Sequence, residues 1–496
     1  MKRPGTEDAL VWPVERTRAF GQRCFDLWLE HQSAIADLPV ARDQSPAEVA
    51  AAVDMAVPDE PLADDDLVHH LREVVDRGVQ VGHGGFMAYI SGAGTAPGGP
   101  ASLLAAGINQ NAGGWVLGPA ATEVETHLLR WFVQRLGLSA TASGAFVTGG
   151  ATANYMALAV ARDTLAGWDV RRDGVAGGPP LAVYASEDVH DTIDRAADLL
   201  GLGTAAVRRI GTDDRLRMRP DLLRERIHED LAAGVKPICV VGTAGTTEFG
   251  AIDPLDELAD IAADRGCWFH VDAAYGGPAA MTDALRPAFV GIERADSITC
   301  DPHKWLNTPI SSSLVLFRDP ATQHAAFTLE TDYTRYDVDE SPGLLMRYQW
   351  TPQFTRPFDA LGVWVSLLAH GWQAFQRRIA HDVELAAWLH HLVAEHPELE
   401  PTIAPELSIV GFRYVPADGS AATVTDDYLD VLNERILYRL QKGGRVYPSN
   451  ALFGGRYVLR ACLVTFRTEA DDIEALIDET VRLGRELDRE LRPASA

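Results

Sequence analysis

The stretch PICVVGTAGTTEFGAIDPLDELADIAADRGCWFHVDAAYGG, residues 237–277, decides the fold. It opens with an apolar run, PICVVGTAG, and passes through an amphipathic helical run, PLDELADIAADRG. A second apolar run, CWFHVDAAYGG, closes it. Continuous apolar runs of this length are strands buried on both faces, and strand, helix, strand is the unit of a parallel sheet. The same alternation extends outward on both sides. GAFVTGG (144–150), LAVYAS (181–186) and AAVRRIG (205–211) precede it, and SITCDPHKW (297–305) and SSLVLFRD (312–319) follow, with helical runs between most of them. Seven such runs predict an α/β fold, a mostly parallel seven-stranded sheet with helices on both faces. In such sheets ligands gather at the carboxyl ends of the strands.

The flanks differ in character. Residues 1–95 alternate helical runs with Pro- and Asp-rich breaks (DLPVARDQSP, VPDEPLADDD) and read as an N-terminal helical arm. Residues 96–365 hold the large domain, and 366–496 read as a small C-terminal α+β domain. Residues 320–357 are aromatic and without periodicity, the mark of a functional loop, and 359–396 read as one long helical stretch.

With 496 residues, 47% hydrophobic and 23% charged, the composition is that of a globular protein of more than one core. A formal net charge of −26 disfavours nucleic acid and anionic membranes as partners, since polyanions are repelled. The five cysteines lack metal-ligand spacing and read as reduced thiols, so no metal site is expected. No signal peptide or membrane-spanning run is legible, and the expected location is the cytoplasm.

Three motifs lie just past predicted strand ends. VTGGATANYMAL, residues 147–158, sets a glycine pair between a strand and a helix N-terminus, where free N–H groups and the helix dipole can cradle a phosphate. An ordinary tight turn has the same look. Asp272 ends an apolar strand, where a carboxylate needs a partner, either a ligand or a structural arginine. Lys304 follows another such strand with no flanking acidic cluster, and is either a solvated loop lysine or a desolvated amine. Together they match the needs of pyridoxal 5'-phosphate: a cradle for its phosphate, a carboxylate for its ring nitrogen and an amine for its aldehyde.

DPHKW, HVDAAYGG, GTAGTTEFGAIDP and SEDVHDTIDRAADLLG resemble, in order and spacing, the pyridoxal-dependent amino acid decarboxylases of the aromatic-L-amino-acid and glutamate type. The resemblance runs from about residue 83 to 466. It implies the type I pyridoxal-dependent transferase fold and an enzyme, a carboxy-lyase that releases carbon dioxide from an L-amino acid. In that family the lysine corresponding to Lys304 forms the Schiff base and the histidine corresponding to His303 contacts the phosphate. Asp272 is implied to meet the pyridine nitrogen, and Ala274 to pack against the ring. His190 is implied to stack on the ring and assist protonation, although a surface histidine at a helix start would look the same. Ala151 and Thr152 are implied phosphate contacts with Asn154 nearby, and Thr246 a pocket residue. Arg460 matches the arginine that meets the substrate carboxylate, with a strand-edge salt bridge as the plainer reading. Tyr333 falls in the loop whose tyrosine protonates the substrate carbon, and Tyr336 competes for that place.

Substrate cues conflict. Tyr89 stands where aromatic-type relatives have tyrosine, whereas Asn111 in NQNAGGW is reminiscent of the glutamate type. Gly92 and Gly113 are expected to leave room for a large side chain. The resemblance thus favours an aromatic L-amino acid giving the amine, with an acidic or other non-aromatic substrate (glutamate or diaminobutyrate type) or an aldehyde product as alternatives. It also implies a homodimer with shared active sites, the N-terminal arm embracing the partner.

Overall fold

The seven apolar runs form one sheet in the computed structural model, which describes residues 10–329, 345–417 and 424–492. A two-residue strand β1 (Phe86–Met87) belongs elsewhere, so the large sheet begins with β2 (Ser143–Val147). Its other strands are β3 (Leu181–Ser186), β4 (Val207–Ile210), β5 (Lys236–Thr243), β6 (Trp268–Asp272), β7 (Ser297–Cys300) and β8 (Ser313–Phe317). They lie in the order β2-β8-β7-β6-β5-β3-β4. Every pairing among β3 to β7 is parallel, and β8 alone runs against its neighbours β7 and β2.

Alternation along each strand divides the interior in two. Ala182, Tyr184, Val240, Phe269 and Ile298 pack on one face with the helix Pro119–Leu136. Val183, Ala185, Val241 and Phe317 pack on the other against the helix Gly150–Leu165. Each valine, isoleucine or phenylalanine among them stabilises by roughly 1.5–3 kcal/mol when fully buried, which is why both faces stay covered. That second helix buries Ala153, Met156, Ala157, Val160 and Ala161, and its small residues let it approach the sheet closely. A smaller sheet follows, with order β1-β11-β12-β10-β9, built from β9 (Leu399–Pro401), β10 (Ile409–Tyr414), β11 (Tyr447–Phe453) and β12 (Arg456–Cys462).

Several expectations are corrected. Residues 83–90 are not part of the helical arm, because Phe86 and Met87 pair with Tyr447 and Pro448 at the edge of the small sheet. The loop expected from 320 begins as a helix, Pro320–Phe327, with the Asp319 carboxylate accepting from Ala321 N. The long helix breaks at Gly371, whose φ of 71° is outside the helical range, giving Ala360–His370 and Trp372–Glu395. β9 and β11 have no counterpart in the sequence reading; β11 carries Pro448 and Asn450, residues that disfavour strands.

One buried ion cluster ties the chain past residue 344 to β2. Glu125 accepts from Arg356 Nη2 at 2.8 Å and from Phe146 N at 3.0 Å, and Arg347 Nε lies 3.8 Å away. Burial alone would raise the Glu125 carboxyl, but the two guanidiniums outweigh it and hold the carboxyl below its usual value. Its contribution is therefore present above the unfolded carboxyl value and lost as pH falls through the lower folded one. Glu125→Gln leaves two guanidiniums buried without an anion and should cost about 3–5 kcal/mol, read as a drop in the urea unfolding midpoint. An unchanged midpoint would mean that the cluster is not stabilising.

Candidate active site

The carboxyl ends of β2, β3, β5, β6 and β7 open on a cavity of about 330 Å³, within the range of small-molecule sites. The predicted junctions meet there. Gly149, Gly150 and Ala151 line one end, where the first turn of the helix Gly150–Leu165 leaves N–H groups without helical partners. Gly150 faces Asp301 so closely that a Cβ would stand 2.8 Å from Asp301 Oδ2.

Lys304 lines the cavity and is not a solvated loop lysine. Asp301, three residues earlier, holds its Nζ at 3.2 Å, an acidic partner the sequence reading did not assign. The loop is fixed from behind, where Trp305 stacks on Tyr275 with centroids 4.9 Å apart and donates to Asp382 at 2.8 Å. His303 also lines the cavity, its Nδ1 bonded to Ser312 O at 2.6 Å and its Nε2 4.0 Å from Asp301.

Asp272 is buried, and its partners are not arginines. Asn154 Nδ2 donates to Oδ2 at 2.8 Å and Ala274 N to Oδ1 at 3.1 Å. Asn154 thus belongs to the carboxylate end, where it also donates to Thr192 at 3.0 Å, and not to phosphate contacts. Ala274 and His190 line the same cavity. Thr192 N donates to His190 Nδ1 at 3.1 Å, so a neutral His190 carries its proton on Nε2.

Other predicted residues lie elsewhere. Thr152 is not a wall residue; its neighbour Thr148 is. The Thr246 hydroxyl accepts from Ala251 N inside its turn, and Gly245 and Thr247 face the cavity instead. Arg460 is buried, bears no carboxylate among the described residues and does not line the cavity. It donates to the carbonyls of Glu248, Thr247 and Tyr89 and to Ser449 Oγ, a position that braces the 247–248 turn. Tyr89 is not a wall residue of this single chain and is mostly exposed, with a φ of 56°. Asn111 Oδ1 accepts from Gly113 N and Arg356 N, a structural use. Gly92 and Gly113 make room for backbone and not for a ligand, because a Cβ would meet Lys304 O at 2.4 Å or Phe354 O at 2.2 Å. Tyr333 and Tyr336 lie outside the described residues.

Sequence reasoning missed Asp301, Thr243, Thr192 and Tyr275. Thr243 had a usable signal, since it ends β5 as Asp272 ends β6 and the two pair in register. The donor set fits pyridoxal phosphate. Beyond the amine, the carboxylate and the helix N-terminus, two buried oxygens at the cavity, Thr243 Oγ1 and Asp301 Oδ1, have no partner among the described residues.

A family model described as the pyridoxal-dependent decarboxylase conserved domain matches residues 46–415. The aromatic-L-amino-acid decarboxylase of Bacillus atrophaeus is 30% identical over 475 residues, 96% of each chain. The phenylacetaldehyde synthase of a Rosa hybrid cultivar is 30% identical over 399 residues, 78% of each. Among solved structures, that of Oryza sativa TDC with PLP and tryptamine aligns with a TM-score of 0.90 at 28% identity, covering 97% of this chain and 100% of that one.

Proposed function

Because this chain belongs to the pyridoxal-dependent decarboxylase family, we propose that its substrate is an aromatic L-amino acid and its product the amine. Decarboxylation of an amino acid with pyridoxal phosphate is the activity of the enzyme. When bound, the cofactor supplies a sink for the electron pair that carboxylate loss leaves on Cα. Lys304 is its covalent tether, Asp272 keeps a proton on the ring nitrogen, and the turn at Gly149–Ala151 receives the phosphate. His190 offers Nε2–H to the cavity, and Ala274 gives the ring a flat wall.

The observation that carries the aromatic reading is the charge of the wall. Among the described residues no arginine lines the cavity, and its one lysine is paired with Asp301. A substrate carboxylate beyond Cα would be desolvated there without a counter-ion, whereas an aromatic side chain asks for none. Carbon dioxide release across a panel of L-amino acids tests this. Tryptophan, tyrosine, phenylalanine or their hydroxylated forms should exceed glutamate and aspartate by at least about 100-fold in kcat/KM. Preference for an acidic substrate would overturn the reading.

The amine requires a proton at Cα once carbon dioxide has left. We assign it to the phenol of Tyr333, with Tyr336 next in line. Tyr333→Phe should keep carbon dioxide release but divert product to aldehyde, ammonia and hydrogen peroxide, each of which is assayed directly. An unaltered amine yield would move the role to Tyr336 or His190. Abundant aldehyde from the wild type would favour the synthase reading, to which the Rosa relative lends weight.

A homodimer is part of the same proposal. Leu103, Leu104, Ile108 and Leu117 are more than half exposed in the single chain, apolar surface that a second copy would cover. Sedimentation at twice the chain mass of 53.8 kDa supports it, and a monomer at micromolar concentration contradicts it. A cytoplasmic location agrees with five thiols that form no disulfide, and cell fractionation tests it. The acidic charge gives nucleic acid and anionic membrane no purchase, so retention on heparin or anionic vesicles would count against this reading.

A further inference from the structure

The Asp272 carboxylate terminates a chain of hydrogen bonds whose direction can be worked out atom by atom. Asn154 is 1% exposed and has all four of its hydrogen-bonding positions filled. Its Nδ2 donates to Asp272 Oδ2 and Thr192 Oγ1, and its Oδ1 meets His270 Nε2 at 3.0 Å and Thr299 Oγ1 at 2.8 Å. The amide cannot be reversed, because its oxygen would then face the carboxylate. With Oδ1 fixed as the acceptor, His270 Nε2 must carry the proton. In a neutral ring Nδ1 is then an acceptor, and of its two neighbours, Ser297 Oγ at 2.9 Å and Ser297 O at 3.2 Å, only the hydroxyl can donate to it. Ser297 Oγ in turn accepts from Trp268 Nε1 at 2.8 Å and is free to donate onward. Four donors therefore point the same way, from Trp268 through Ser297, His270 and Asn154 to Asp272.

His270 is fully buried on β6, two residues before Asp272 on the same strand face, and is not a wall residue of the cavity. Burial pushes its imidazole well below the usual value, against the pull of the nearby Asp272 charge, in keeping with the neutral form that the bonds require. The same amide reaches the other side of the site, since Thr192 links Asn154 to His190 Nδ1.

We propose that His270 and Asn154 are positioning residues that orient Asp272 for the ring nitrogen of pyridoxal phosphate, His270 acting only through the Asn154 amide. This rests on Asp272 meeting that nitrogen. Asn154 spends one lone pair of Oδ2 and fixes the carboxylate plane, while donors aligned through His270 strengthen the bond by mutual polarisation. A carboxylate free to turn would hold the ring less well.

The test compares His270→Asn, which keeps a polar side chain but does not reach Asn154, with His270→Gln, whose amide N–H reaches the place of Nε2–H. Apoenzyme of each is titrated with pyridoxal phosphate, and the visible circular dichroism of the bound cofactor is recorded beside steady-state kinetics. His270→Asn should bind the cofactor about tenfold more weakly, with a reduced dichroic band and a lower kcat at unchanged substrate KM. His270→Gln should restore all three. Thr299→Val, which removes the other donor to Asn154 Oδ1, should shift them in the same direction by less, and it decides the matter if His270→Asn does not fold. Wild-type affinity and dichroism in His270→Asn, or in Thr299→Val where that variant decides, would overturn the proposal, as would His270→Gln as impaired as His270→Asn. Asp272→Asn is titrated alongside. Weakened binding there with a normal His270→Asn refutes the relay alone, whereas normal binding in Asp272→Asn refutes the role of Asp272 beneath it.

Discussion

Lys304→Ala should fold as the wild type does, yet lose the visible absorption of bound cofactor and fall in kcat by roughly a thousandfold or more. The fold should survive because Lys304 is at the end of a loop held by others. Trp305 is anchored by Tyr275 and Asp382, and Asn307 donates to Val464 O and accepts from Ala93 N. The loss should be large because no second amine lines the cavity among the described residues. Asp301 would be left buried without its cation, so a modest fall in unfolding midpoint accompanies the change. Full turnover with a normal spectrum would defeat the assignment of the tether.

Asp272→Asn is the second large effect. The side chain keeps its volume, and one amide oxygen can still accept from Asn154 or Ala274, so the fold persists. What goes is the negative charge that holds a proton on the ring nitrogen. Electrostatic groups of this kind, placed in a water-poor site, are worth about 10² to 10³ in rate. The measurement is kcat with carbon dioxide as the readout, and KM should move far less. An unchanged kcat would make the carboxylate structural.

The parallel sheet was legible because its strands are buried on both faces and therefore carry long apolar runs, which need no partner to be recognised. β9 and β11 were not, since their apolar character depends on the strands beside them; Pro448 and Asn450 look like turn residues until β1 pairs with the first and β12 with the second. The site divides in the same way. Lys304 and Asp272 stood out because each follows or ends an apolar strand, His190, His303, Ala274 and Ala151 were implied by the resemblance of their motifs, and all six line the cavity. Arg460, Asn111 and Thr246 carry the right chemistry in the right motif, but their polar atoms are consumed by backbone groups, which for Arg460 and Asn111 lie more than 200 residues away in sequence. Nothing local announces that. Gly92 was misread for a related reason, because the backbone it admits, at His303 and Lys304, is more than 200 residues away. Asp301 escaped notice although it lies in the quoted motif, since only the turn from 301 to 304 brings its carboxylate back to the lysine.

Lysine is scarce enough here to make one measurement decisive. The chain has four, Lys2, Lys236, Lys304 and Lys442. Lys236 donates to Ala166 O, and Lys442 pairs with Asp43 far from the cavity. Reduction of the holoenzyme with borohydride, followed by proteolysis and mass spectrometry, locates the residue that bears the cofactor. The predicted result is a single pyridoxyl group on the peptide containing Lys304, with the other three lysines unmodified. A pyridoxyl group on Lys236 or Lys442, or none on any peptide, would contradict the account.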